Sequence, residues 1–167
     1  MKKQGPHYRV TFRRRREGRT NYRARAKLLR SGAPRAVVRK TLNQTLVQIV
    51  QADPAGDRIL ASAVSHDLKE QGWAVGTGNL PAAYLTGYLA GKRAAAKGVK
   101  EAVLDIGLQK PTKGGRVFAA LQGLLDAGVQ VPHSKEVLPS KDRVRGAHIS
   151  EAVTKAFDDV KKKLEAS

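Results

Sequence analysis

The 167-residue chain has no cysteine. That excludes disulfides, thiolate metal sites and cysteine nucleophiles, and it suits a reducing cytoplasm. Long apolar runs are also missing. The most apolar stretch, "LPAAYLTGYLAG", is far shorter than the ~20 residues a bilayer span needs. The basic start is not followed by the apolar core of a secretion signal. Neither secretion nor membrane spanning is expected. A third scarcity is local: residues 1–40 hold one acid, Glu17, against fifteen Lys and Arg, whereas the rest holds thirteen acids against seventeen bases. Most of the formal charge of +18 therefore sits in the first quarter of the chain. Such a segment repels itself and lacks the apolar surface to offset its ordering entropy, so it calls for an anionic partner.

The remainder has the composition of an ordinary soluble domain, and the length suits one domain with appendages. We divide the chain into a basic N-terminal arm and helix (1–33), a globular α/β domain (34–148) and a C-terminal amphipathic helix (149–167). Residues 1–18 show no sustained period and read as an extended tail. A helical pattern runs from Thr20 to Arg30, with Tyr22, Ala26 and Leu29 on one stripe and Arg19, Arg23, Lys27 and Arg30 beside it. Gly32 and Pro34 stop it.

Three strand-like stretches follow, "RAVVRK" (35–40), "TLVQIVQA" (45–52) and "RILASAVS" (58–65). Their short connections, including the turn sequence Asp53-Pro54-Ala55-Gly56-Asp57, imply an antiparallel meander. Pro81 fits the first turn of a helix that runs to Gly98, with Asn79 or Leu80 just before it. "EAVLDIG" (101–107) reads as a buried strand, "RVFAALQGLLDA" (116–127) as a helix capped by Gly128, and "VQV" as a further strand. Strand, helix, strand in that order implies a parallel, right-handed crossover, so the sheet is mixed and the class is α/β. Ile149, Val153, Phe157, Val160 and Leu164 form the apolar stripe of the last helix, whose Lys161, Lys162 and Lys163 suit the negative end of its dipole.

Motifs for chemistry are absent or broken. The four histidines are scattered and lack metal-ligand spacing. "GTGNLP" (76–81) starts like a dinucleotide fingerprint, but Pro81 replaces the third glycine and no βαβ unit precedes it. "AGKRA" lacks the Walker glycine, and Gly87-x-x-x-Gly91 reads as a close approach of its helix to the sheet rather than a membrane dimer motif. No carboxylate pair or nucleophile elbow is present, so we expect no enzyme activity and no cofactor. "KPTKGGR" (110–116) is different. It stands between a strand and a helix, where freed backbone N–H groups with Lys110, Lys113 and Arg116 would cradle an anion, the plainer reading being a turn with solvated lysines.

A nucleic acid, an anionic membrane or an acidic protein could each match the arm. Residues 19–30 offer too few large apolar groups for a membrane-binding helix. Arginine outnumbers lysine, its planar head forks onto phosphates and stacks on bases, and Tyr8, Phe12 and Tyr22 place rings between the charges. No helix-turn-helix, zinc finger or zipper is present to read a DNA groove. RNA is the favoured partner.

The blocks "RRRREGRTNYRARAKLLRSGAPRAVVRK", "GTGNLPAAYLTGYLAGKRA", "EAVLDIGLQKPTKGGRVFAALQGLLDAGVQVPHS" and "RGAHI" resemble the large-subunit ribosomal protein eighteen family in its archaeal form, from about Arg9 to Ile149. The resemblance implies a three-layer α/β domain with a mixed sheet flanked by helices. It implies a cytoplasmic ribosomal protein that binds 5S ribosomal RNA and helps attach it to the 23S-type RNA in the central protuberance, beside neighbours such as large-subunit protein five. By position, Arg9, Arg13, Arg14, Arg15, Arg16, Arg19, Thr20, Asn21, Tyr22, Arg23, Arg25 and Lys27 resemble the family's RNA-contacting segment. There the arginines would bind phosphates and Tyr22 would stack or pack on sugar. Thr77 and Asn79 of the "GTGN" loop, with Thr112, Lys113 and Arg116 of the "TKGGR" loop, resemble family loops near RNA. The segment after Ile149 varies in such proteins. The expected mechanism is a scaffold whose arm, disordered or partly helical when free, folds on the RNA and releases counterions. The rival readings are an RNA-processing or RNA-modifying enzyme, for which Asp105 is a lone carboxylate, and a chaperone or binder of acidic proteins.

Overall fold

A computed structural model describes residues 5–166. Four strands form one sheet in the order β3-β2-β1-β4: β1 is Arg35–Lys40, β2 Thr45–Gln51, β3 Arg58–Val64 and β4 Val103–Asp105. The first three make the antiparallel meander the short turns require, while β4 pairs parallel to β1, setting Arg35 opposite Val103 and Val37 opposite Asp105. The sheet is mixed and the class α/β, as the sequence implies. The hairpin turns are closed by side chains. Thr41 Oγ1 accepts from Gln44 N at 3.0 Å, and Asp53 Oδ1 accepts from Ala55 N at 3.1 Å.

The helices are α1 (Arg13–Arg16), α2 (Tyr22–Leu29), α3 (Leu80–Ala95), α4 (Arg116–Asp126), α5 (Lys141–Arg145) and α6 (Glu151–Ala166). Capping chemistry sets their starts. Asn21 accepts from Ala24 N at 3.1 Å, so α2 begins at Tyr22 rather than Thr20; Asn79 accepts from Ala82 N at 2.8 Å and starts α3 with Pro81 in its first turn.

One sheet face carries Ala36, Val38, Val47, Ile49, Ala61 and Ala63, all buried against α3 and α4. Helix α3 is covered almost all round, because α6 lies on its far side and inserts Val153, Phe157, Val160 and Leu164. Burial of such side chains stabilises by roughly 1.5–3 kcal/mol each, so the C-terminal helix is a structural part of this layer. Lys163 donates to Gln71 O at 3.2 Å, and Lys161 Nζ lies 5.8 Å from the centre of the Tyr84 ring.

Four local expectations are corrected. The tail is not wholly extended: Phe12 O accepts from Arg15 N and Arg16 N, and an Arg13–Glu17 pair at 3.0 Å one turn apart supports the short α1. "VQV" is a single parallel bridge between Glu101 and Gln130, because Pro132 has no N–H with which to extend a ladder. Ile149 lies before α6 and is 45 % exposed, outside the buried stripe. Gly87 and Gly91 approach α4, not the sheet. A Cβ on Gly87 would stand 2.0 Å from Ala120 O, and one on Gly123 would stand 2.2 Å from Tyr84 O.

These contacts let the backbones of α3 and α4 meet. Gly87→Ala is therefore expected to destabilise the protein by about 1–3 kcal/mol or more in urea titration, whereas Gly98→Asn, at an open helix end with φ 77°, is expected to cost less than about 1 kcal/mol.

Candidate nucleic-acid interface

Alternation along β1 puts Ala36 and Val38 into the core and turns Arg35, Val37 and Arg39 to the opposite face. Arg35 is 3 % exposed. A guanidinium so buried requires acids, and it has two. Arg35 Nη1 donates to Asp105 Oδ2 at 2.7 Å and Arg35 Nη2 to Asp57 Oδ2 at 2.6 Å. Asp105 Oδ1 takes Arg39 Nη2 at 3.0 Å and the backbone N–H of Gly107 at 2.8 Å, while Asp57 Oδ1 takes Arg25 Nη2 at 2.7 Å. The lattice thus runs Arg25–Asp57–Arg35–Asp105–Arg39 and fastens α2 to the meander turn and the sheet.

The cations set the charge state of both acids. Burial by itself would raise Asp105, but the charge and hydrogen bond of Arg39, the bond from Arg35 and the Gly107 N–H together hold it below the usual carboxylate range. The hydrogen bond from Arg25, aided by Arg35, outweighs burial at Asp57 and holds it low as well. Both remain ionised at neutral pH.

Above this lattice, α2 and the arm form one wall of a cleft of about 750 Å³, and the sheet with residues 104–108 forms the other. Of the arm residues singled out from the sequence, Arg14, Arg19, Thr20, Asn21, Tyr22, Arg25 and Lys27 line it. Arg14 Nε donates to Thr20 Oγ1 at 2.9 Å, Arg13 and Arg19 share Glu17, and the Phe12 and Tyr22 rings meet with centroids 5.1 Å apart. Arg9, Arg15, Arg16, Arg23 and Lys27 are exposed, and no acid pairs with them among the described residues. These five cations are available to an outside anion.

The loop residues form a second group. Arg116 Nη1 donates to Gly78 O at 2.8 Å and to Leu42 O at 3.3 Å, and Thr77 Oγ1 donates to Asn43 O at 2.8 Å. Arg116 therefore ties the "GTGN" loop to the β1–β2 turn, with Asn79 engaged as a cap. Gly78 is required there, since a Cβ would lie 2.7 Å from Leu42 O. In the "TKGGR" loop, Gly114 N bonds Val137 O and Gly115 N bonds Thr112 O, so two N–H groups of the expected anion cradle are already satisfied. Thr112 and Lys113 are exposed, Lys113 Nζ lying 3.2 Å from Glu136. No hydrogen bond or ion pair joins the loop group to the arm group among the described residues.

The sequence reading missed Arg35, Arg39 and Asp57, and left Asp105 alone. One signal was present: two arginines four apart in an apolar strand share a face, which demands acids nearby. No potential metal cluster occurs among the described residues.

Comparison with known proteins gives a consistent result. The family described as "Ribosomal large subunit proteins 60S L5, and 50S L18" matches residues 6–101 and 94–134. The large ribosomal subunit protein uL18 of Natronomonas pharaonis is 58 % identical over 147 residues, covering 88 % of this chain and 80 % of that protein. The protein of the same name from Aeropyrum pernix is 57 % identical over 148 residues, covering 88 % and 69 %. That from Haloarcula marismortui is 56 % identical over 147 residues, covering 88 % and 79 %. All three are named as ribosomal proteins, not as enzymes.

Asp105→Ala leaves Arg35 buried with one acid fewer and is expected to cost about 3–5 kcal/mol at neutral pH. The lowered acids contribute stability that is fully present above the ordinary carboxylate range and is lost as pH falls through their depressed values. The gap between wild type and Asp105→Ala should accordingly narrow in urea titrations taken down to about pH 2; a constant gap would contradict the charge assignment.

Proposed function

The chain belongs to the family of ribosomal large-subunit proteins 60S L5 and 50S L18, and we propose that it binds 5S ribosomal RNA and helps fasten it to the 23S-type RNA in the central protuberance. It works as a scaffold, in the cytoplasmic ribosome, beside proteins such as large-subunit protein five. The observation that carries this reading is the arm: exposed cations without acidic partners among the described residues, Arg9, Arg15, Arg16, Arg23 and Lys27 among them, arginine-rich and interleaved with rings, presented beside a cleft with further arginines in its walls. Forked guanidinium contacts to phosphate, with Tyr22 and Phe12 at hand for base or sugar, suit a folded RNA.

Arg9, Arg15, Arg16, Arg23 and Lys27 are the phosphate-binding set, with Arg13 and Arg19 held beside them by Glu17. Thr20, Asn21 and Tyr22 border the cleft, and Thr112 and Lys113 lie exposed on a second contact loop. The enzyme alternative has little to build on. Asp105, its one carboxylate candidate, is held ionised between Arg35 and Arg39 and has no proton to give at neutral pH.

Binding to 5S RNA and to an unrelated structured RNA of equal length, titrated with salt, tests the reading. Wild type should prefer 5S RNA and show a steep negative slope of log K on log salt. Changing Arg15, Arg16, Arg23 and Lys27 together to Gln should flatten that slope by roughly 3–4 units. Equal affinity for the two RNAs would overturn the 5S assignment.

A further inference from the structure

Helix α2 has eight residues and buries none of them fully. A helix that short is marginal in water without tertiary support. Its support consists of the half-buried Tyr22, Leu28 and Leu29 and one tether from its middle, Arg25 to Asp57. Asp57 is itself fixed. Its second oxygen is taken by the buried Arg35, which Asp105 anchors in turn. The position of α2 on the sheet thus passes through one carboxylate. Without it, Arg25 would face Arg35 with no charge between them.

We propose that Asp57 is a positioning residue for RNA binding, acting through Arg25 to hold α2 docked before RNA arrives. The inference rests on the RNA-binding reading above and gives it a division of labour. Arg25 is engaged inward as the tether, while Arg23 and Lys27 on the same helix remain outward and unpaired among the described residues. The arm has two parts: α2 is set in place by the lattice, whereas α1 makes its side-chain contacts within the arm, from Arg13 to Glu17 and from Arg14 to the Thr20 hydroxyl.

A positioning role for Asp57 runs against simple electrostatics. Asp57 is an anion in the wall of a cationic cleft, and neutralising it should strengthen attraction to a polyanion. If its role is to dock α2, neutralising it lowers the docked fraction and weakens binding by that factor.

The test uses the full chain with 5S RNA at fixed salt, together with hydrogen exchange on the free protein. Asp57→Asn should bind ~10-fold more weakly, as for a docked fraction near one tenth, and the α2 amides should exchange faster in the absence of RNA. Arg25→Gln should do the same while leaving the Asp57–Arg35 pair intact, so it tests the tether even if Asp57→Asn proves unstable. The double variant should be no weaker than either single one, because both remove one tether. Emission of the buried Trp73 reports that the body stays folded. Unchanged or tighter RNA binding by Asp57→Asn, additive losses in the double variant, or unchanged α2 exchange would overturn the proposal. Failure of wild type to prefer 5S RNA would instead overturn the function on which it rests, and the exchange experiment would still report on the tether.

Discussion

A guanidinium placed in the interior of a sheet is costly unless its charge is met on the spot, and Arg35 is met twice, by Asp105 from the neighbouring parallel strand and Asp57 from the meander turn. That constraint organises the face of the sheet opposite the hydrophobic core. It joins β4 to β1 by charge as well as by backbone pairing, and fixes the Asp53–Asp57 turn against the sheet. Through Arg25 it seats the arm helix. An apolar pair of similar volume could give equal stability. It could not leave Asp57 with a second oxygen to hold an arginine of the arm.

The two faces of the sheet have separate tasks. On one, α3 is enclosed by strands, α4 and α6, with glycines allowing backbone contact and small or apolar side chains filling the layer. On the other, charges are paired in a chain that centres on the buried Arg35 and runs out to the half-buried Arg25 of the arm, beside which the arm's outer cations stand exposed. Electrostatic strength follows the same gradient: pairs near Arg35 are shielded from salt, while the arm's outer cations exchange counterions freely. The firm end positions the arm, and the exposed end is the part that the proposed function offers to RNA.

Local chemistry was readable where one residue decides a boundary. Asn79 before Pro81, Gly128 after α4 and the short meander turns each dictate what they produce. The first three strands and the large helices could be read from periodicity for that reason. Long-range pairing was not readable. Nothing near Asp57 or Asp105 in the chain announces that both meet Arg35, since these partners are 22 and 70 residues away. "VQV" failed as a strand because Pro132 ends its pairing, a rule visible in the sequence but outvoted by β propensity. The arm's charge was plain from composition. Which cations face outward became clear only once Asp57 and Glu17 had claimed theirs.

In the proposed function the arm side of the sheet, and not the α5–α6 side, faces RNA. Photo-crosslinking of the protein to 5S RNA, with the joined peptides identified by mass spectrometry, addresses it directly. Crosslinks should concentrate in the peptides that carry Tyr8, Phe12 and Tyr22, with few in α6. Crosslinks centred on α5 and α6, with the arm unmarked, would contradict it.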